Sequence, residues 1–397
     1  MTERLSNLDL VRGLAALAVC AGHLRAFLFV DFGQVPPASR GLFHQLFYLS
    51  TGLGHQAVMV FFVLSGYLVG GSVLTAHRQG RWSWREYALR RLTRLWVVLL
   101  PALLLTLLFD QLGHAISPAG YEGAFATIHS SGPTPALPAD WRPATFLGNL
   151  FFLQTIIVNC LGTNGPLWSL AYEFWYYALF PLLWHAIHSP DPHHGPHTSS
   201  VAVRLMKQAA YAAGAVAVLA WLPSGVVLGG VIWLFGVGAY WLGRLAPVRR
   251  VCGHPIWLVG TGALAVASLL ISKTTSIFGS DWFIGLAFAL WVLGLNSPHR
   301  EWSWLKGASV ALSDMSYTLY VVHFPFLAFV FYVYFGQTQF LPTLPGYGWF
   351  VLLLIGMLAF ARAIWWCFER NTAIVRRRIE LAIPRRWAGT PITPARP

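Results

Sequence analysis

Arg12 and His23 stand in the first long apolar stretch of the chain, roughly residues 8–30, with ten residues between them. Ionisable side chains at membrane depth cost about 2.5–3.5 kcal/mol each on insertion scales, so a pair kept there points to function. In a helix, eleven steps of about 100° bring the second residue back to within about 20° of the first. The two side chains then share one face, about 16 Å apart along the axis. A neutral imidazole is a natural base for taking a proton from a hydroxyl. A guanidinium does not titrate and suits an anion or a carbonyl oxygen. Asp9, one turn before Arg12, is placed to pair with it. Plainer readings stand beside these: a histidine bonded to a backbone carbonyl, and an arginine that only sets topology.

Three further places carry ionisable groups where apolar ones would be expected. Arg78, Arg81, Arg85, Arg90, Arg91 and Arg94 form an arginine-only cluster without lysine. Topology needs charge but not guanidinium geometry, whereas guanidinium forks match phosphate oxygens in pairs. Arg90, Arg91 and Arg94 are therefore candidates for a cofactor that bears phosphates. Glu173 lies several residues into the apolar run that follows Asn164-Gly165-Pro166-Leu167-Trp168-Ser169. It must face a cavity or a partner rather than lipid. His323 lies in Ser316-Tyr317-Thr318-Leu319-Tyr320-Val321-Val322-His323-Phe324-Pro325. It is either a member of the reactive set or a cap for carbonyls freed by the Pro325 kink.

Composition says what must position these groups. The chain is 56% hydrophobic and 10% charged, with mean hydropathy +0.57; soluble domains average about 25% charged. This is a membrane protein. A net charge of +13 in a soluble chain would suggest nucleic acid. Here the basic residues sit between apolar segments, so no nucleic-acid partner is expected. Cys20, Cys160, Cys252 and Cys367 are scattered without ligand spacing, so neither a disulfide framework nor a metal site is predicted. His193, His194 and His197 read as a solvated loop. The first apolar stretch lacks a small-residue cleavage site and is expected to stay as a signal anchor.

The hydropathy pattern predicts an all-α, polytopic transmembrane helix bundle of ten spans. They fall at about 8–30, 55–75, 92–112, 166–187, 208–222, 226–243, 255–272, 281–296, 308–334 and 346–368. Segment 146–160 is too short to cross. Ten spans with a cytoplasmic N-terminus leave only Arg40, Arg142 and Lys273 outside. Counting 146–160 as a span would move every basic cluster from Arg204 onward to the side opposite Arg78–Arg94, against the positive-inside rule. That segment is expected to be re-entrant or interfacial. Residues 371–397 form a basic, proline-containing cytoplasmic tail, read as an anchor against anionic lipid.

Four motifs in order resemble the integral membrane acyltransferase 3 family, bacterial O-acyltransferases of surface glycans and some small molecules. They are Leu8-Asp9-Leu10-Val11-Arg12-Gly13 with His23, Phe61-Phe62-Val63-Leu64-Ser65-Gly66, Arg91-x-x-Arg94, and Leu167-Trp168-Ser169-Leu170 with Glu173. The Ser316-Tyr317…His323-Phe324-Pro325 segment is also similar, so the resemblance covers residues 7 to 370. Two departures stand out. Val58-Met59-Val60 precedes Phe61 where the family often has a polar or acidic residue, and the nearest proline after the arginine pair is Pro101. The resemblance implies His23 as catalytic base with Arg12 as partner, and Arg91 and Arg94 in an acyl-coenzyme A site. Glu173 and His323 join the catalytic candidates, and Asp9, Ser65, Trp168, Ser169 and Tyr317 are supporting positions. The expected function is O-acyl transfer, foremost acetyl transfer from acetyl-coenzyme A or another acyl-coenzyme A, without a metal. The expected acceptor is a glycan or lipid-linked sugar, in a bacterial inner membrane with lipid as solvent. A proton-coupled transporter using Arg12, His23, Glu173 and His323 is the competing class, although no inverted repeat supports it; a non-catalytic scaffold is the third. Tags in 76–91, in 188–207 and after 370 should all report cytoplasm; a periplasmic signal from the C-terminal tag would overturn the ten-span reading.

Overall fold

Each of the ten apolar segments is occupied by helix, as lipid requires of a backbone with no water to bond. The computed structural model describes residues 6–123, 138–188, 200–272, 280–295 and 306–382. The helices are α1 (Ser6–Leu28), α2 (Leu42–Thr51), α3 (Gly54–Ser65), α4 (Gly71–Arg78), α5 (Trp84–Ile116), α6 (Pro118–Tyr121), α7 (Pro143–Leu150) and α8 (Trp168–Ile187). They continue with α9 (Val201–Trp221), α10 (Ser224–Leu242), α11 (Ala246–Cys252), α12 (Pro255–Ile271), α13 (Asp281–Leu295), α14 (Lys306–Asp314), α15 (Ser316–Tyr334), α16 (Leu344–Cys367) and α17 (Thr372–Ala382). A π-helical turn, Gly66–Gly70, joins α3 to α4 in one continuous element.

Among the described residues six helices are long and apolar enough to cross a membrane: Asn7–Leu28, Gly54–Arg78, Trp84–Ile116, Ser224–Leu242, Ser316–Tyr334 and Leu344–Ala382. The pair α11–α12, bent by 74°, makes a seventh if it is one span. The predicted 308–334 segment is broken in two at Met315. The His193, His194 and His197 loop, Arg4, Lys273, Arg300 and the tail beyond 382 lie outside the described residues. Lipid-facing surface is plain on α5, where Leu100, Leu104, Leu108 and Leu112 recur every fourth residue and all are exposed.

The bundle is built around α1, which packs against α3, α14, α15 and α16. Small residues let backbones close up where side chains would hold them apart. A Cβ on Gly66 would stand 1.9 Å from the Trp233 carbonyl oxygen, and one on Gly236 would stand 2.0 Å from that of Val63. This crossing locks the π-turn against α10. Gly13 plays the same part where α1 meets α14, since a Cβ there would lie 2.8 Å from Leu312 Cβ. The close approach brings Ser313 to Arg12.

Segment 146–160 does not span. It is the end of α7 followed by a non-helical loop with Phe152 and Thr155 at φ 60 and 61. Buried backbone of this kind needs partners, and side chains supply them. Trp96 Nε1 donates to the Leu150 carbonyl at 2.8 Å, and Trp175 Nε1 to that of Phe152 at 2.9 Å. Asn149 donates to the Asn159 carbonyl and accepts from Leu161 N–H. Two intramembrane prolines are treated likewise. Pro325 cannot bond the Val321 carbonyl, and Asn164 Nδ2 donates there instead at 2.9 Å. Pro181 leaves the Tyr177 carbonyl free, and Tyr87 Oη donates to it at 2.9 Å.

Candidate active site

Two cavities flank a common wall. The first, ≈ 170 Å³, lies toward the end where α1 begins, and Arg12, Arg91, Arg94, Glu173, Tyr177, Tyr317 and Ser65 help to line it. Each ionised group there is held by a partner. Arg12 Nη2 donates to Asp9 at 3.1 Å and to the Ser313 carbonyl at 3.3 Å, and also contacts Ser313 Oγ. Ser313 Oγ in turn donates to Asp9 at 2.8 Å. Asp9 therefore aims Arg12 as the sequence spacing suggested. Arg94 pairs with Glu369 at 3.7 Å. Glu369 is buried and accepts from Thr318 N–H at 3.1 Å and Thr318 Oγ1 at 2.6 Å. Arg91 lies over the rings of Tyr87 and Tyr177 at 5.9 and 6.0 Å.

Glu173 ends a relay of hydrogen bonds. Trp233 Nε1 donates to Ser65 Oγ at 3.1 Å, Ser65 to Tyr177 Oη at 3.2 Å, and Tyr177 to the Glu173 carboxylate. Tyr317 Oη donates to the Leu95 carbonyl at 3.1 Å. Arg90 stands apart from the group. It is exposed, pairs with Glu86 at 3.3 Å on the same helix, and does not line the cavity.

The second cavity, ≈ 200 Å³, lies toward the other end of α1; His23, His55, Gly165, Trp168, Tyr320 and Phe324 help to line it. His23 Nδ1 is 2.8 Å from His323 Nε2, with the two rings nearly coplanar at 12°. The network settles the tautomers. His323 Nδ1 faces two carbonyls, of Leu319 at 3.0 Å and Tyr320 at 2.8 Å, so it carries the proton. In a neutral ring Nε2 then has the lone pair, and His23 Nδ1–H must donate to it. That leaves His23 Nε2 as a free lone pair beside the cavity. His323 thus does more than satisfy helix carbonyls, and the carbonyl freed by Pro325 is met by Asn164 instead.

The wall between the cavities is Tyr320 with Val58, which line both. Tyr320 Oη is 2.6 Å from Ser169 Oγ and donates to the Pro166 carbonyl at 3.1 Å. The arrangement offers fixed cations on one side and a base with a defined lone pair on the other. It can bring an anionic donor and a protic acceptor to one junction.

The acyltransferase 3 family model, described as an acyltransferase domain, matches residues 5–367. The chain belongs to that family. This acyltransferase 3 protein is therefore a membrane acyltransferase, and the transporter and scaffold readings give way to it. No curated protein and no solved structure matches it significantly. Sequence reasoning missed Glu369, Thr318 and Ser313 in this acyltransferase. Glu369 is the one carboxylate just past the last apolar segment, a position that could have drawn notice.

His323 stands 2.8 Å behind His23, so its loss is expected to act through His23. His323→Ala should lower acyl-transfer turnover about 10²-fold, the lower end of general-base effects, and shift the pH–rate profile. His323→Gln keeps an acceptor for His23 Nδ1–H and should recover part of the loss at unchanged Tm. Equal loss in both variants, tracking a drop in Tm with an unmoved pH profile, would leave His323 a packing residue only.

Proposed function

We propose that this protein is a membrane O-acyltransferase, foremost an O-acetyltransferase. It takes the acyl group from cytoplasmic acyl-coenzyme A and gives it to a hydroxyl of a surface glycan or lipid-linked sugar. The observation that carries the proposal is the pair of cavities sharing Tyr320 and Val58, arginines in one and the His23 lone pair in the other. The positive-inside rule orients them. Arg78–Arg94 and α17 mark the cytoplasmic end, and α8, α9 and α13 complete ten crossings of a bacterial inner membrane. At the opposite end, charge is muted. Arg142 forks onto Asp140 at 2.9 and 2.7 Å and, with Thr145, holds that carboxyl well below the usual carboxylate range.

In this reading Arg91 and Arg94 take the phosphates of the donor, and the pantetheine arm runs inward past Arg12 toward Tyr320. About 16 Å along α1 separates the Arg12 and His23 levels, which suits an extended arm. The acceptor hydroxyl enters from the His23 side. His23 Nε2 takes its proton as the oxygen attacks the thioester carbonyl. The C–O bond forms, the carbonyl carbon–sulfur bond breaks, and the coenzyme A thiolate leaves and recovers the proton from the imidazolium. His323 supports the imidazolium through the Nδ1–H bond, much as the third member of a hydrolase triad does. Holding both reactants at one junction supplies part of the barrier reduction as prepaid entropy.

The test separates donor grip from chemistry. A point charge lacks the guanidinium fork, so Arg91→Lys/Arg94→Lys should raise the KM for acetyl-coenzyme A about tenfold or more, the loss of a charge-assisted hydrogen bond, while kcat and protein level hold. A wild-type KM in that variant would remove both residues from the donor site.

A further inference from the structure

His55 lines the His23 cavity, and Asp281 stands directly behind it as its partner; the transfer step uses neither. His55 stands at the start of α3 and Asp281 at the start of α13. His55 Nε2 meets both Asp281 carboxylate oxygens, at 3.0 and 2.9 Å. The two side chains are 54% and 43% exposed. Exposed polar pairs of this kind add little to stability, so the fold gains little from this one. Trp168, on the same cavity wall, lies nearly parallel to the His55 ring, with centroids 6.4 Å apart and planes at 22°. Its ring is braced edge-on by Phe62 at 6.2 Å and Tyr172 at 5.0 Å.

We propose that Trp168, His55 and Asp281 form the acceptor subsite and hold one sugar ring with a hydroxyl turned toward His23. The inference rests on the acyl-transfer reading above and names the groups that read its acceptor. An aromatic face takes the apolar C–H face of a pyranose, and an indole keeps a polar handle for a ring substituent. An ionised carboxylate accepts from two neighbouring hydroxyls at once, and such bonds to charged acceptors are the strong ones. His55 fixes the carboxylate by facing both oxygens, and each oxygen keeps a further lone pair for a hydroxyl. The anionic donor is excluded from this end by the same carboxylate, while Arg12, Arg91 and Arg94 attract it to the other cavity. Each cavity thereby selects one reactant by charge.

The experiment uses the full chain in detergent with labelled acetyl-coenzyme A. Acceptor probes are methyl α-D-glucopyranoside, methyl α-D-mannopyranoside and methyl N-acetyl-β-D-glucosaminide, with cyclohexanol and lysine methyl ester as non-sugar controls. Acetyl should pass to at least one glycoside. Asp281→Asn and Trp168→Leu should each raise the glycoside KM about tenfold, the loss of one hydrogen bond to a charged group or of comparable contact, with an unchanged KM for acetyl-coenzyme A. Trp168→Phe should keep most of the affinity. If Asp281→Asn does not accumulate, His55→Gln probes the same rim and should give the same KM change. Unchanged glycoside KM in these variants overturns the subsite. Transfer to cyclohexanol or to the amine but to no glycoside also overturns it while leaving acyl transfer standing. No transfer to any acceptor overturns both.

Discussion

Hydrocarbon offers no hydrogen bonds, so every polar atom this chain takes into the membrane must be met by protein or open onto a cavity. That constraint organises the structure. Arg12 is held by Asp9 and Ser313, Arg94 by Glu369, and Glu173 by a relay through Tyr177 and Ser65. The broken backbone after α7 is met by Trp96, Trp175 and Asn149, and two proline gaps are met by Asn164 and Tyr87. The His23 Nε2 lone pair differs from these groups in standing beside the second cavity. It is left available by a chain of bonds that accounts for the other three imidazole nitrogens.

A neutral histidine in the place where hydrolases put a carboxylate has a physical logic. A buried carboxylate would need its own cations, and its desolvation would cost several kcal/mol. His323 needs only two backbone carbonyls, which α15 already presents one turn back. The dyad therefore orients the base without adding net charge to the bundle. Tyr320, one turn from His323 on the same helix, forms the wall between the cavities. A shift of α15 would move the base support and the wall together.

The Arg12–His23 relation was legible because a helical period turns eleven residues into one shared face. The exclusion of 146–160 followed from length and loop charge, and the loop found there agrees. Other features depend on tertiary contacts that no local pattern carries. Arg90 and Arg91 are adjacent in sequence, yet about 100° of helix turn sends one to the surface and the other into the cavity. Nothing in the arginine cluster says which. Glu369 sits just past the last apolar run and drew no reading, because its partners Thr318 and Arg94 come from other helices. His323 read equally as a proline-gap cap. The structure puts Asn164 on the Val321 carbonyl and turns His323 Nε2 toward His23.

The most direct measurement is acetyl transfer and coenzyme A release by purified His23→Gln protein beside wild type. Glutamine keeps a hydrogen-bonding group of similar reach but cannot take the hydroxyl proton. Turnover should fall about 10²-fold or more, with protein level and acetyl-coenzyme A binding retained. Turnover at the wild-type rate, at normal expression, would mean that the base lies elsewhere and that the His23 lone pair is not the centre of this enzyme.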